Sequence, residues 1–244
     1  MIGRALRAQA RSFTGDVVLL GVIVAAFVMS LSLAASVPGE LADAPADARD
    51  RLTAPFGAVI ATYAGVLAAV YGSFRYTIDR RDGVIAQRLC MQPRWTMLLG
   101  RVPASAVGGA LVALAAVGGG HTALVAVMGG VPVDGSAIAA TLGLGAMAGI
   151  WGLAVGLVVQ VHLAALFVAS LSMGAAALVA VFWDAGAVYL PLLAMLEAFR
   201  FDVAAVGVVP GHDLDGGLAA LISAGWVLVV LLAGGVSFLR RDVT

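Results

Sequence analysis

Between Ser136 and Trp183 the chain runs for 48 residues without one charged side chain. A helix needs only about 20 apolar residues to cross a hydrocarbon layer of about 30 Å. The run is therefore long enough for two crossings, folded back at Gln160, Val161 and His162. Within lipid every backbone polar group must be satisfied internally, and a single segment can do that only as a helix. Four further apolar stretches, at about 17 to 37, 56 to 74, 102 to 128 and 217 to 239, bring the expected total to six. The fold class this predicts is an all-α integral membrane protein, with residues 1–244 forming one transmembrane domain.

Composition agrees, since 62% of residues are hydrophobic and 11% are charged, against about a quarter charged in soluble domains. Zero net charge supplies no bulk attraction for nucleic acid. All 14 positive residues are arginine, so the chain lacks the lysine that a P-loop or a kinase-type ATP site requires. Any ATP hydrolysis belongs to another chain. A single cysteine, Cys90, excludes an intrachain disulfide and a multi-cysteine metal site.

Charge distribution orients the spans. With both termini and the 75 to 101 loop assigned to the cytoplasm, 11 of 14 arginines lie inside: Arg4, Arg7, Arg11, Arg75, Arg80, Arg81, Arg88, Arg94, Arg101, Arg240 and Arg241. Ten of 14 acidic residues fall outside, including Glu40, Asp43, Asp134, Asp184, Glu197, Asp213 and Asp215. An even number of spans keeps the arginines at both ends on one side, so the chain reads as a multi-pass protein with both termini cytoplasmic; the excess of Ala, Gly, Val and Arg over Lys, Ile and Asn points to a bacterial inner (cell) membrane. Arg4, Arg7 and Arg11, interleaved with Ile2, Leu6 and Phe13, predict an N-terminal interfacial helix. A cleaved signal peptide is the competing reading of this end. The apolar stretch of about 21 residues exceeds the ~7–15 of a signal core and favours a retained span.

No Asp, Glu or Arg sits in the middle of a span, where a charge costs about 2.5–3.5 kcal/mol and persists mainly for function. That argues against a proton relay, an intramembrane carboxylate protease or a voltage sensor. His121 and His162 are too few to hold a metal and read as packing or interfacial residues. Gly145 and Gly149, then Gly152 and Gly156, form successive G-x-x-x-G pairs on the fourth span, which let helices approach closely within the chain or across a subunit interface. Outside the membrane, 189 to 202 carries Leu192, Leu193, Leu196 and Phe199 at helical spacing. Glu197 and Arg200 stand three apart there, a spacing at which they can pair. The pattern fits an amphipathic helix lying in, or dipping back into, the outer leaflet.

The loop from Arg75 to Arg101 carries the most information. From Asp79 to Gln92 it presents Ile85 and Leu89 on one face of an expected amphipathic helix, with Arg81 and Arg88 elsewhere and Pro93 disfavouring helix at Gln92. A basic loop of this kind serves either to set topology or to dock a peripheral partner.

The order acidic, basic, glycine and then proline with a basic residue, carried by Asp79, Arg80, Arg81, Asp82, Gly83, Pro93 and Arg94, resembles the coupling loop of the type-2 permeases of ATP-binding-cassette transporters. In that family it follows the second of six spans, as here, and the likeness extends over nearly the whole chain. Val84 departs from it, standing where the family often has threonine. The resemblance implies an exporter of drugs, antibiotics, peptides or lipids whose coupling helix includes Asp79, Arg80, Arg81, Asp82, Gly83, Ile85, Arg88 and Leu89. It implies re-entrant outer helices between spans five and six containing Leu192, Leu193, Leu196, Glu197, Phe199 and Arg200. It also implies a second permease copy or a related chain, and two cytoplasmic ATPase subunits that hold ATP and Mg, while this chain binds no cofactor and is not itself an enzyme. A secondary transporter and an accessory or enzymatic membrane protein remain the alternatives from other classes.

The orientation has a direct readout in the sole thiol. A membrane-impermeant maleimide is expected to label Cys90 in inside-out vesicles and to leave it untouched in intact cells; labelling from outside overturns the orientation.

Overall fold

The computed structural model describes residues 9–11, 13–38, 45–129, 134–209 and 214–240, apart from the side chains of 46–54 and 184. Arg4, Arg7, Ile2 and Leu6 of the expected interfacial helix, the acidic Glu40 and Asp43, and Asp213 and Arg241 lie outside the described residues. All regular structure among the described residues is helical: α1 (Val17–Ala35), α2 (Ala46–Arg81), α3 (Val84–Leu89), α4 (Arg94–Met128), α5 (Gly135–Val159), α6 (His162–Phe182), α7 (Asp184–Ala187), α8 (Pro191–Ala198) and α9 (Gly216–Arg240), with helical residues at 9–11 ahead of α1 and 3-10 turns at Phe13–Gly15 and Val203–Val206.

Six of these, α1, α2, α4, α5, α6 and α9, are long and apolar enough to cross a membrane. The chain is a multi-pass membrane protein. Its starts and stops follow local chemistry. Asp16 and Asp134 cap α1 and α5, each accepting a backbone N–H of the first turn through its carboxylate, at Leu19 (3.0 Å) and Ser136 (2.9 Å). Ser136 bonds to Asp134 through both its N–H and its hydroxyl, which holds that exposed carboxyl below the usual carboxylate range. α5 ends where Gln160 takes a left-handed φ of 61°, and α6 begins two residues later, which turns the 48-residue run back on itself at the expected place.

α5 is the centre of the bundle: 61% of its most apolar window is buried, against 22% for α1. It packs on α2, α4, α6 and α9, whereas α1 leans on α4 and α2 from outside. The glycine pairs explain why. A methyl group at Gly145 would press on Ala113 and the Gly109 carbonyl of α4, and one at Gly149 would strike the Ser105 carbonyl of the same helix. On the other side, a methyl at Gly152 would overlap the Ala69 carbonyl of α2, and Gly156 abuts Ser73. The two G-x-x-x-G pairs are thus packed within the chain, one against each neighbour. Small residues at such contacts let backbones approach where lipid supplies no hydrophobic drive between helices.

α2 and α4, at 36 and 35 residues, are each longer than 50 Å at about 1.5 Å per residue. Both exceed the hydrocarbon thickness. At the end of the bundle that carries α3, here the basic end, they enclose a separate small core of Tyr76, Ile85, Met97, Leu153, Leu157 and Phe238. At the acidic end, Ala34, Val37, Ala123, Leu124 and Met128 close the bundle between α1 and α4.

A Gly152→Ala substitution should lower the thermal unfolding midpoint in detergent, since overpacking a tight contact costs about 1–3 kcal/mol. Gly174→Ala on α6, where an added methyl meets nothing within 4 Å, should leave the midpoint unchanged or raise it slightly through helix propensity. Equal effects of the two would contradict the packing role of α5.

Candidate functional site

The basic end holds the densest polar arrangement of the described residues. Asp16, at the start of α1, receives Arg75 Nε of α2 at 2.8 Å and the Tyr71 hydroxyl at 3.4 Å. Arg75 also donates to Asp79 Oδ1, one turn further along α2, at 3.1 Å. Asp79 Oδ2 in turn accepts from Arg101 of α4 at 2.6 Å, with both side chains about 95% buried. Two carboxylates and two guanidinium groups form a neutral chain that ties α1, α2 and α4 together at one level. Burying ions is costly unless each is paired and hydrogen-bonded. The alternation of sign along this belt pairs each charge, while the buried Arg101 Nε is left without a hydrogen-bond partner.

The belt adjoins the machinery around α3. The Arg101 guanidinium lies 5.4 Å from the centroid of the Tyr76 ring, which meets Phe238 of α9 edge-on at 6.3 Å. Tyr76 and Phe238 belong to the same core as Ile85 of α3. Contact is therefore continuous from α1 through the belt to the short helix. The cavity bordering the belt, lined by Phe13, Tyr71, Arg75, Arg101 and Ser105 among others, has a volume of only about 10 Å³. That is near the size of one water-sized sphere, so the belt has a structural geometry and no room for a transported solute.

The expected helix from Asp79 to Gln92 is two pieces. α2 continues through Asp79, Arg80 and Arg81. It stops because Asp82 N–H returns to the Ile78 carbonyl (2.9 Å) and Gly83 takes a φ of 73°, a left-handed stop that glycine adopts at little cost. α3 then occupies only Val84–Leu89. The loop expected from Arg75 to Arg101 shrinks to the stretch between Arg81 and Arg94, because its two flanks are helix. Asp79 lies in the buried belt, and Ile85 is fully buried with Leu89 packed beside it. The face of α3 turned outward is instead Ala86, Gln87 and Cys90, followed by Met91; Arg88 is half-buried. Ile85 faces its own chain because Tyr76, Met97 and Phe238 converge on it from three helices.

At the acidic end, α8 is buried along most of its length, with Leu192, Leu193 and Leu196 at 1% exposure or less against α9, α6 and α2. The Phe199 ring fills the space over Gly143 of α5. Arg200, exposed and at a φ of 61°, donates its backbone N–H to the Glu197 carbonyl at 2.9 Å. Both residues line an open cavity of about 680 Å³ with Asp202 and Asp215. His162 accounts for itself at the other end, with Nδ1 2.9 Å from Thr77 Oγ1 and its ring edge-on to Phe74 at 4.4 Å. Among the described residues no three His, Cys, Asp or Glu side chains cluster as metal ligands would.

Sequence reasoning assigned nothing to Asp16, Tyr71 and Tyr76, although Asp16 immediately before an apolar run is a legible helix cap. A scan against protein-family models gives no match, and a search of curated proteins gives none either.

Arg101→Ala would leave Asp79 buried beside Arg75 alone and should cost about 3–5 kcal/mol of stability. A double-mutant cycle with Asp79→Asn and Arg101→Gln, read by denaturant unfolding in micelles, should show strong coupling. Additive single effects would mean that the pair does not hold α2 to α4.

Proposed function

We propose that this chain is the membrane-spanning permease subunit of an ATP-driven exporter, working with separate ATPase subunits on the face that carries α3. The observation that best supports this reading is the short helix α3. It sits between the protruding ends of two spans, presents Ala86, Gln87 and Cys90 outward, and roots Ile85 in a core built from α2, α4, α5 and α9. A partner pushing on the outer face of α3 would load four spans at once through Ile85, and α1 through the belt. That is the geometry a coupling element needs, since interfaces and packed cores respond to small shifts as units and do not deform continuously. The resemblance of the Asp79 to Arg94 segment to type-2 permeases supplies the identity of the partner, two ATP-binding-cassette subunits carrying ATP and Mg. It also supplies a second permease copy or a related chain, and α8 as the counterpart of the re-entrant outer helix.

A secondary transporter draws on one observation, the buried carboxylates Asp16 and Asp79. Both are engaged by arginines beside a cavity too small for a solute, which favours a static joint over a proton carrier.

The test uses the outward face of α3. Ala86→Glu with Gln87→Glu replaces two exposed side chains and should leave the unfolding midpoint of the purified chain unchanged. Co-purification of ATP-binding-cassette subunits, and transport-linked ATP hydrolysis in reconstituted vesicles, should fall at least tenfold, as expected for loss of about 1.4 kcal/mol or more at an interface centre. Wild-type levels of both, or ATP turnover by the isolated chain, defeat the proposal. Transport driven by a proton gradient without ATP would favour the secondary transporter.

A further inference from the structure

Three buried polar atoms at the basic end make no hydrogen bond to any described residue: Arg101 Nε, the Tyr76 hydroxyl and Thr96 Oγ1. Such orphans are rare in native proteins, because a buried donor without a partner keeps its full desolvation penalty. Arg101 and Tyr76, though not Thr96, line the cavity of about 10 Å³ beside the belt. The Arg101 guanidinium lies 5.4 Å from the centroid of the Tyr76 ring. Two of the three orphans therefore border one space, and its volume is about that of a single water-sized sphere.

The chemistry of the walls sets what can sit there. Arg101 Nε–H can only donate, and the neighbouring Nη2 is already taken by Asp79 at 2.6 Å. Arg80, one turn beyond Tyr76 on α2, lies near the phenol oxygen. A guanidinium likewise only donates, so the phenolic proton still needs an acceptor. An occupant must therefore accept two hydrogen bonds. The same cavity also presents two oxygens able to receive one, the hydroxyls of Tyr71 and Ser105. Tyr71 gives its own proton to Asp16 Oδ2 at 3.4 Å, which leaves lone pairs on its oxygen. A methyl at Gly108 would collide with the Tyr71 ring and hydroxyl, so that hydroxyl rests directly on α4, one turn from Ser105.

We infer that this cavity holds one ordered water, accepting from Arg101 Nε and the Tyr76 hydroxyl and donating to the oxygens of Tyr71 and Ser105. Water is the occupant that both accepts and donates in so small a volume. A halide accepts without donating, and it would add an unbalanced charge to a belt whose four ions already sum to zero. The water links Tyr76, in the core beneath α3, to Tyr71 and through it to Asp16. Hydrogen bonds then join that core to the start of α1, where protein groups alone supply only the contact of the Arg101 guanidinium with the Tyr76 ring. The site does not depend on the exporter reading.

A crystal structure of the full chain, at a resolution that shows ordered solvent, should place one density peak within hydrogen-bonding distance of both Arg101 Nε and the Tyr76 hydroxyl. Crystals soaked in bromide should give no anomalous signal there. Stability supplies an independent sign. Removing a true orphan hydroxyl relieves a penalty and raises the unfolding midpoint. Bridged by water, Tyr76→Phe should instead lower the midpoint by about 2–4 °C, the loss of one net hydrogen bond. Thr96→Val, at the orphan that does not line the cavity, should leave the midpoint unchanged or raise it. A bromide peak, the absence of density, a direct protein acceptor for the Tyr76 hydroxyl, or a midpoint unchanged or raised in Tyr76→Phe would each overturn the inference.

Discussion

Everything in this bundle depends on how closely two backbones approach α5. Ala69 and Ser105 present their carbonyls to Gly152 and Gly149, leaving no room for even a methyl group at either glycine. In a hydrocarbon solvent helices gain nothing by hiding apolar surface from water, so association rests on dispersion and backbone proximity. Four glycines on opposite sides of α5 hold α2 and α4 at short range, and the remaining spans attach to that three-helix centre. The long apolar side chains of α1, α6 and α9 face outward, as lipid-exposed surfaces should.

The charged belt solves the opposite problem. α2 and α4 are too long for the bilayer and carry Arg75, Asp79 and Arg101 near one end. Placed at the level where α1 begins, those charges meet Asp16 and neutralise one another in sequence. The belt thus fixes the registry of three spans along their axes. The glycine contacts set lateral distance and leave sliding cheap. Ion pairs with defined partners do not slide. Beyond the belt, the protruding ends of α2 and α4 hold α3 through Ile85, which joins the position of a surface helix to the arrangement of the spans.

Much of this is visible in the residues. Span number follows from the lengths of apolar runs, close helix contact at α5 from its glycine pairs, and the caps from Asp16 and Asp134, whereas the helix of α2 as far as Arg81 and of α4 from Arg94 lies in what reads as loop. Ile85 and Leu89 read correctly as one apolar face. The direction of that face is not in the sequence, because it depends on Tyr76, Met97 and Phe238 arriving from three distant segments. The stop at Gly83 was legible in principle, yet a helix continued through it satisfies the same periodicity. Leu192, Leu193 and Leu196 also looked amphipathic, and burial on more than one side of α8 required α9 and α2 beside it.

What the sequence determined by itself is the solvent and the number of crossings. Hydropathy is a local property, and a lipid environment forces each apolar run into a helix. What only the tertiary structure decided is which charges become partners and which faces remain open. Asp16 and Arg75 are 59 positions apart in the chain, and nothing local distinguishes their pairing from a dozen others. It arises because α1 and α2 pack side by side with these ends at one level, and because an arginine buried without a partner would cost more than the contact that pairs it.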